Sequence, residues 1–118
     1  MGYQQGTGDL QRSKVAGAVT LGSSNGAASM TLHGTRGTIA VTLNGQLDED
    51  AETGIVTWTN ASINATSVIE TCVKSNHICT QFDIWHVADG SCKFGFMNNT
   101  GAHLTGDPTI TFQFMVYN

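Results

Sequence analysis

Three cysteines, four histidines and a short acidic run are the residues of this 118-residue chain that could do chemistry. Cys72 and Cys79 flank His77 in the stretch TCVKSNHICT, which raises three readings: a metal site, a redox pair, or a hairpin that carries thiols. Structural zinc asks for C-x2-4-C spacing or further ligands of matching type, and this stretch supplies neither. With Ser75-Asn76 as a two-residue turn, Cys72 faces Cys79 as a hydrogen-bonded cross-strand pair. Such a pair has a Cα separation of about 5.5 Å, within disulfide range. A disulfide is therefore compatible with the pattern, while a cytoplasmic origin favours free thiols. Cys92 opens a strand pattern whose other inward residues are phenylalanines and reads as a small core hydrophobe. His33, His77 and His103 fall in turns, and His86 alternates onto the face of Phe82 and Ile84, where partial burial is expected. No metal site and no cofactor follow from this set.

Catalytic chemistry is no better served. A cysteine nucleophile needs a base and a group to orient it, and Cys79 with His77 or His86 has no local signature around it. Asp83 and Glu70 are lone carboxylates in strand patterns. The run LDEDAET (47–53) alternates Asp48, Asp50 and Glu52 but lacks the glycine and terminal glutamate of an EF-hand loop, so it reads as a solvated turn. No glycine-rich loop follows a strand and opens a helix. The expectation is a protein that is not an enzyme.

The elements that carry these residues are strands. AVTLG (18–22), SMTLHG (29–34) and AVTLNG (40–45) echo one another at a spacing of eleven, each a short apolar strand closed by glycine. Val56 and Trp58 alternate against Thr57 and Thr59. Runs at 67–73, 79–87 and 91–97 follow, with ADG (88–90) as a tight turn. The last strand, TITFQFMVYN, sets Ile110, Phe112, Phe114 and Val116 on one face and must be central, with partners on both sides. The core is expected to comprise Val56, Trp58, Phe82, Ile84, Phe94, Phe96, Ile110, Phe112, Phe114 and Val116. About eight strands at this spacing predict an all-β fold, an antiparallel β-sandwich of jelly-roll type. Residues 15–118 are expected to form that one domain, and residues 1–14, which have no apolar period, an extended N-terminal arm.

Composition sets the outer limits. Fourteen glycines and only 12% charged residues suit a turn-rich β protein, and no stretch approaches the length of a membrane span. The net charge is −4, and the five basic residues (Arg12, Lys14, Arg36, Lys74, Lys93) are scattered along the chain, which argues against a nucleic-acid partner. The opening MGYQQGTGDLQ lacks the apolar centre of a signal peptide, so synthesis in a cytoplasm is expected. That weakens the three N-x-S/T motifs at Asn60, Asn64 and Asn98, which read as turn chemistry.

From about residue 54 onward the pattern resembles a small β domain of tailed-bacteriophage virion proteins. VTWTNASINATSVIETCV, VADGSCKFGFMNNTGAHL and the closing ITFQFMV carry the likeness, with Thr59-Asn60, Gly90-Ser91, Gly101 and Phe112 at its strand and turn positions. Ser67 stands where that family usually has aspartate, and Cys92 where it usually has an aromatic residue. The first 50 residues match only loosely, through SKVAGAVTLG. The resemblance implies a virion structural protein, made in the host cytoplasm and built into the particle, with no catalytic residues to carry over. The first expectation is a capsid decoration (cement) protein that binds the major capsid protein or other virion proteins as a homo-oligomer, a trimer. The alternative is a tail-fibre or receptor-binding tip that binds carbohydrate. Tyr3, Gln4, Gln5 and Leu10 on the arm, and Trp85 and Tyr117 on the less apolar faces of their strands, are the candidate partner-binding residues. Ile69, Val73, Trp85, Met115 and Tyr117 are expected to supply outward apolar surface for self-association.

Overall fold

Alternation of buried and exposed side chains is nearly unbroken in the longest strands. It follows from the two-residue period of a pleated strand with one face on a core. The structure, a computed structural model, describes residues 14–75 and 80–118. Among the described residues eight strands run in chain order: β1 Lys14–Thr20, β2 Ala28–Thr31, β3 Arg36–Thr42, β4 Val56–Thr59, β5 Val68–Val73, β6 Thr80–Ala88, β7 Ser91–Asn98 and β8 Thr109–Tyr117. They form two four-stranded sheets, ordered β1-β3-β8-β5 and β2-β4-β7-β6, packed as a sandwich.

The sheets are mixed rather than antiparallel. β1 pairs with β3 in parallel, and β2 pairs with β4 in parallel, while the other four pairings are antiparallel. The chain steps from one sheet to the other at each of its first three connections, so strands β1 to β4 wind as a flat coil. The echo at eleven residues is the signature of that winding. One spacing carries the chain to the opposite sheet and two bring it back, so that Ala18, Val19 and Thr20 lie in register beside Ala40, Val41 and Thr42. β1 and β3 approach so closely that a Cβ on Gly37 would stand 2.0 Å from the Val15 carbonyl oxygen.

β8 is central, between β3 and β5, as its apolar pattern requires. Between the sheets lies an aromatic layer. Trp58 meets Phe114 edge-on at 4.7 Å between ring centroids, Phe112 lies 4.0 Å from Phe82, and Phe94 meets Phe112 edge-on at 5.3 Å. The Trp58 indole N–H donates to the Leu32 carbonyl at 3.0 Å, so its polar atom is satisfied inside the core. Eight of the ten expected core residues are fully buried, and Phe82 and Ile84, on edge strand β6, are partly so. The first half of the chain adds Leu21, Met30, Ile39, Val41, Leu43 and Leu47. Ile69 and Val73 point inward, packed against the core, so they do not add outward apolar surface.

The hairpin expected around Ser75-Asn76 falls on residues 76–79, which lie outside the described residues. β5 belongs to the sheet with β8 and β6 to the sheet with β7, and Cys72 is register partner to Gln113. Cys79 itself lies outside the described residues. His86 is also placed differently from expectation. It is exposed, with φ 54°, within an irregularity of β6 between Trp85 and Ala88 that breaks the alternation.

Candidate functional site

The outer face of the β2-β4-β7-β6 sheet carries a hollow built around a missing side chain. Gly95 on β7 is register partner to Asp83 on β6, and Trp85 is partner to Lys93. With no Cβ at Gly95, the Trp85 indole leans diagonally across the strand. Its Cη2 lies 3.4 Å from where that Cβ would stand, and the Thr53 hydroxyl oxygen lies at the same distance. Gly95 is thereby buried on a face that is otherwise outward, which breaks the alternation of β7. Asp83, Glu52, Phe96 and Met97 complete a hollow of about 200 Å³. Glu52 is brought there by a bridge between its backbone and Met97, from the acidic loop that joins β3 to β4.

That loop is hydrogen-bonded to the end of β7. The Asp50 amide donates to the Asn98 carbonyl at 2.6 Å and the Asn98 amide to the Ala51 carbonyl at 2.9 Å. Its carboxylates diverge. Asp48 faces the His103 Nδ1 at 3.4 Å and accepts from the Gln46 amide at 2.6 Å, while Glu52 borders the tryptophan hollow. Among the described residues no three His, Cys, Asp or Glu side chains converge as a metal site would require. Cys72 is exposed and Cys92 buried, both free thiols, and burial pushes the Cys92 thiol up to about 12.

The two aromatic candidates do not share a site. Trp85, 40% exposed, stands on the outer face of one sheet, and Tyr117, 44% exposed, on the outer face of the other. Tyr117 is register partner to Val68, the most exposed large apolar residue among those described, and Met115 follows on the same face. Tyr3, Gln4, Gln5 and Leu10 lie outside the described residues. Sequence reasoning missed the partners of Trp85: Glu52 arrives from a loop more than thirty residues away, and only the Gly95 beside two phenylalanines hinted at a covered floor. It also took the basic residues as scattered, whereas Lys14, Arg36 and Lys74 converge on one hollow of the β1-β3-β8-β5 sheet.

In chemical terms the tryptophan hollow offers an indole face beside two carboxylates. An aromatic plane takes the apolar face of a sugar ring, and carboxylates accept hydrogen bonds from its hydroxyls. Comparisons with family models, with curated proteins and with solved structures find no match to this chain.

Proposed function

We propose that this chain is a structural protein of a tailed-bacteriophage particle, a capsid decoration protein that acts by binding rather than by catalysis. The observation that carries the reading is the exposed pair Val68 and Tyr117, 60% and 44% accessible, beside Met115 on the outer face of the sheet. Contiguous apolar surface of this kind marks protein contacts. The matching surface is the major capsid protein or a neighbouring copy of this chain, in a trimer on a lattice symmetry axis. Further support comes from the residues that carry the sequence resemblance. Asn60 closes the turn after β4, Gly90 and Gly101 take the positive φ of their turns, and Phe112 fills the centre of β8. Three of these positions set turns and Phe112 fills the core, so the likeness speaks for architecture, and architecture alone leaves function open.

The test is the copy number of the chain in purified particles, together with co-sedimentation of the full chain with undecorated capsids. Hundreds of copies and saturable co-sedimentation, lost in Tyr117→Ser with Val68→Ser, fit a decoration protein. A few tens of copies and no capsid binding would replace it with the second reading, a receptor-binding tip. The tryptophan hollow favours that second reading, because it joins an indole to two carboxylates in sugar-binding fashion. A glycan array probed with the full chain and with Trp85→Ala decides it.

A further inference from the structure

Three of the five basic residues of an acidic chain line a single hollow. Lys14 and Arg36 are register partners on the parallel strands β1 and β3, so their side chains leave the sheet side by side on its outer face. Two residues further along β3, Thr38 pairs with Gln113 of β8, which in turn pairs with Cys72 of β5. Lys74, just past the end of β5, closes the far side. These groups and the backbone at Gly37 enclose about 160 Å³, and no carboxylate lines it. Among the described residues none of the three cations has an ion-pair partner. The acid nearest along the sheet is Glu70, which belongs to the adjoining hollow with Cys72 and Met115.

Like charges directly opposite on neighbouring strands repel, and an ordinary surface avoids or offsets that arrangement. Here a lysine and an arginine are set in register with a second lysine aimed at the same space, in a chain that has nine carboxylates to place elsewhere. An anion in the hollow adds an attraction to each of the three cations and so offsets their mutual repulsion. Arginine presents a planar fork that matches two oxygens of a tetrahedral oxyanion, while lysines add point charge. The Thr38 hydroxyl and the Gln113 amide, both half-buried on the sheet, are neutral donors at fixed positions. The space admits one tetrahedral group with a few waters or ester carbons and is well below the size of pockets that enclose an extended ligand.

We propose that the hollow of Lys14, Arg36, Lys74, Thr38 and Gln113 is a binding site for a dianionic oxyanion: free phosphate, free sulfate or a phosphate monoester. The inference is independent of the capsid reading, because it rests on a different surface.

The experiment is an amide NMR titration of the full chain with inorganic phosphate, inorganic sulfate, phenyl phosphate and acetate, at ionic strength held constant with sodium chloride. Saturable shifts at Thr38, Gln113 and Lys74 are expected for the first three probes, with acetate weaker by tenfold or more because it carries one charge. Tighter binding of phenyl phosphate than of inorganic phosphate assigns an ester, and equal or weaker binding assigns the free ion. Arg36→Gln and Lys74→Gln should each lower phosphate affinity by roughly tenfold, in keeping with the loss of one charge-assisted contact. Lys93→Gln, on the opposite sheet, should leave it within twofold. In low salt without phosphate, Arg36→Gln should melt higher than the parent chain, since the repulsion from Lys14 is gone. Shifts that do not saturate, acetate bound as tightly as phosphate, or an equal loss in Lys93→Gln would each overturn the proposal.

Discussion

Asn98 holds Thr100 through a single oxygen: its Oδ1 accepts the Thr100 amide at 3.1 Å and the Thr100 hydroxyl at 2.7 Å. The same relation recurs between Asn64 and Thr66, and between Asn60 and the amide of Ser62. Each N-x-S/T motif is thus a turn in which the asparagine side chain replaces a backbone acceptor. At Asn98 the amide nitrogen is also committed, donating to the carbonyls of Leu47, Asp48 and Ala102. This one buried side chain ties the acidic loop to the loop after β7. Asn98→Ala strips one donor from each of those carbonyls, which keep the Leu104 amide, the Ala51 amide and the Thr100 hydroxyl as partners, and it removes the acceptor of the Thr100 amide, so it should lower stability by about 1–3 kcal/mol. The half-buried Asn64→Ala should lose less. Urea unfolding of the two variants checks the order.

Phe112 is fully buried between the sheets, with Phe82 and Phe94 against it. Phe112→Ala should cost about 3–5 kcal/mol, because neighbours on two sheets cannot both collapse into the space. Val68→Ala, at 60% exposure, should shift stability by less than about 0.5 kcal/mol. An unchanged melting temperature for Phe112→Ala would contradict the central place of β8.

Cys92 gives the chain an alkaline limit. Its thiol is buried at 1% exposure, and desolvation pushes it up from an ordinary 9.0 to about 12. Between those values the unfolded chain releases the proton and the folded chain keeps it. The folded form then binds more protons, and stability falls as pH rises. The fall from this group is about 1.4 kcal/mol per pH unit over that interval and is absent below pH 9. Cys92→Ala should show a correspondingly shallower decline from pH 9 upward in denaturant melts. In the folded parent chain at neutral pH, a thiol reagent should modify exposed Cys72 and spare Cys92.

What could be read from the sequence was the part governed by local period. The Ile110-Phe112-Phe114-Val116 face, the glycine turn at 90 and the phenylalanines of β7 follow from alternation and turn chemistry. The parallel pairing of β1 with β3 was present as the repeated Ala-Val-Thr-Leu. Yet a spacing of eleven fits a meander of hairpins as well as half a turn of a coil, because both join short strands by short turns. The partner of β5 was out of reach for a related reason. The alternation of residues 68–73 marks a strand and its two faces, but its partner β8 lies some forty residues later. The convergence of Lys14, Arg36 and Lys74 depends on three strands meeting through β8, and no spacing along the chain encodes it.

Gly95 separates a binding site from a structural accident. Its backbone is not in the positive-φ region, and a Cβ there would meet Thr53 Oγ1 and Trp85 Cη2 at 3.4 Å, ordinary contact distances. Alanine is therefore tolerated, and by restricting the unfolded chain it should raise stability by up to about 1 kcal/mol. Valine adds two methyls on the floor of the hollow and must displace the indole from its seat. Because Trp85 is 40% exposed, moving it should cost the fold little. If the hollow binds a saccharide, the Gly95→Val chain should melt within a few degrees of the parent and yet lose the glycan-array signal, as Trp85→Ala does. Gly95→Ala should keep part of it. Should Gly95→Val unfold instead, the indole would be holding β6 against β7, and Trp85→Ala would then lower the melting temperature as well. Melting curves of the three variants beside their array signals distinguish these outcomes.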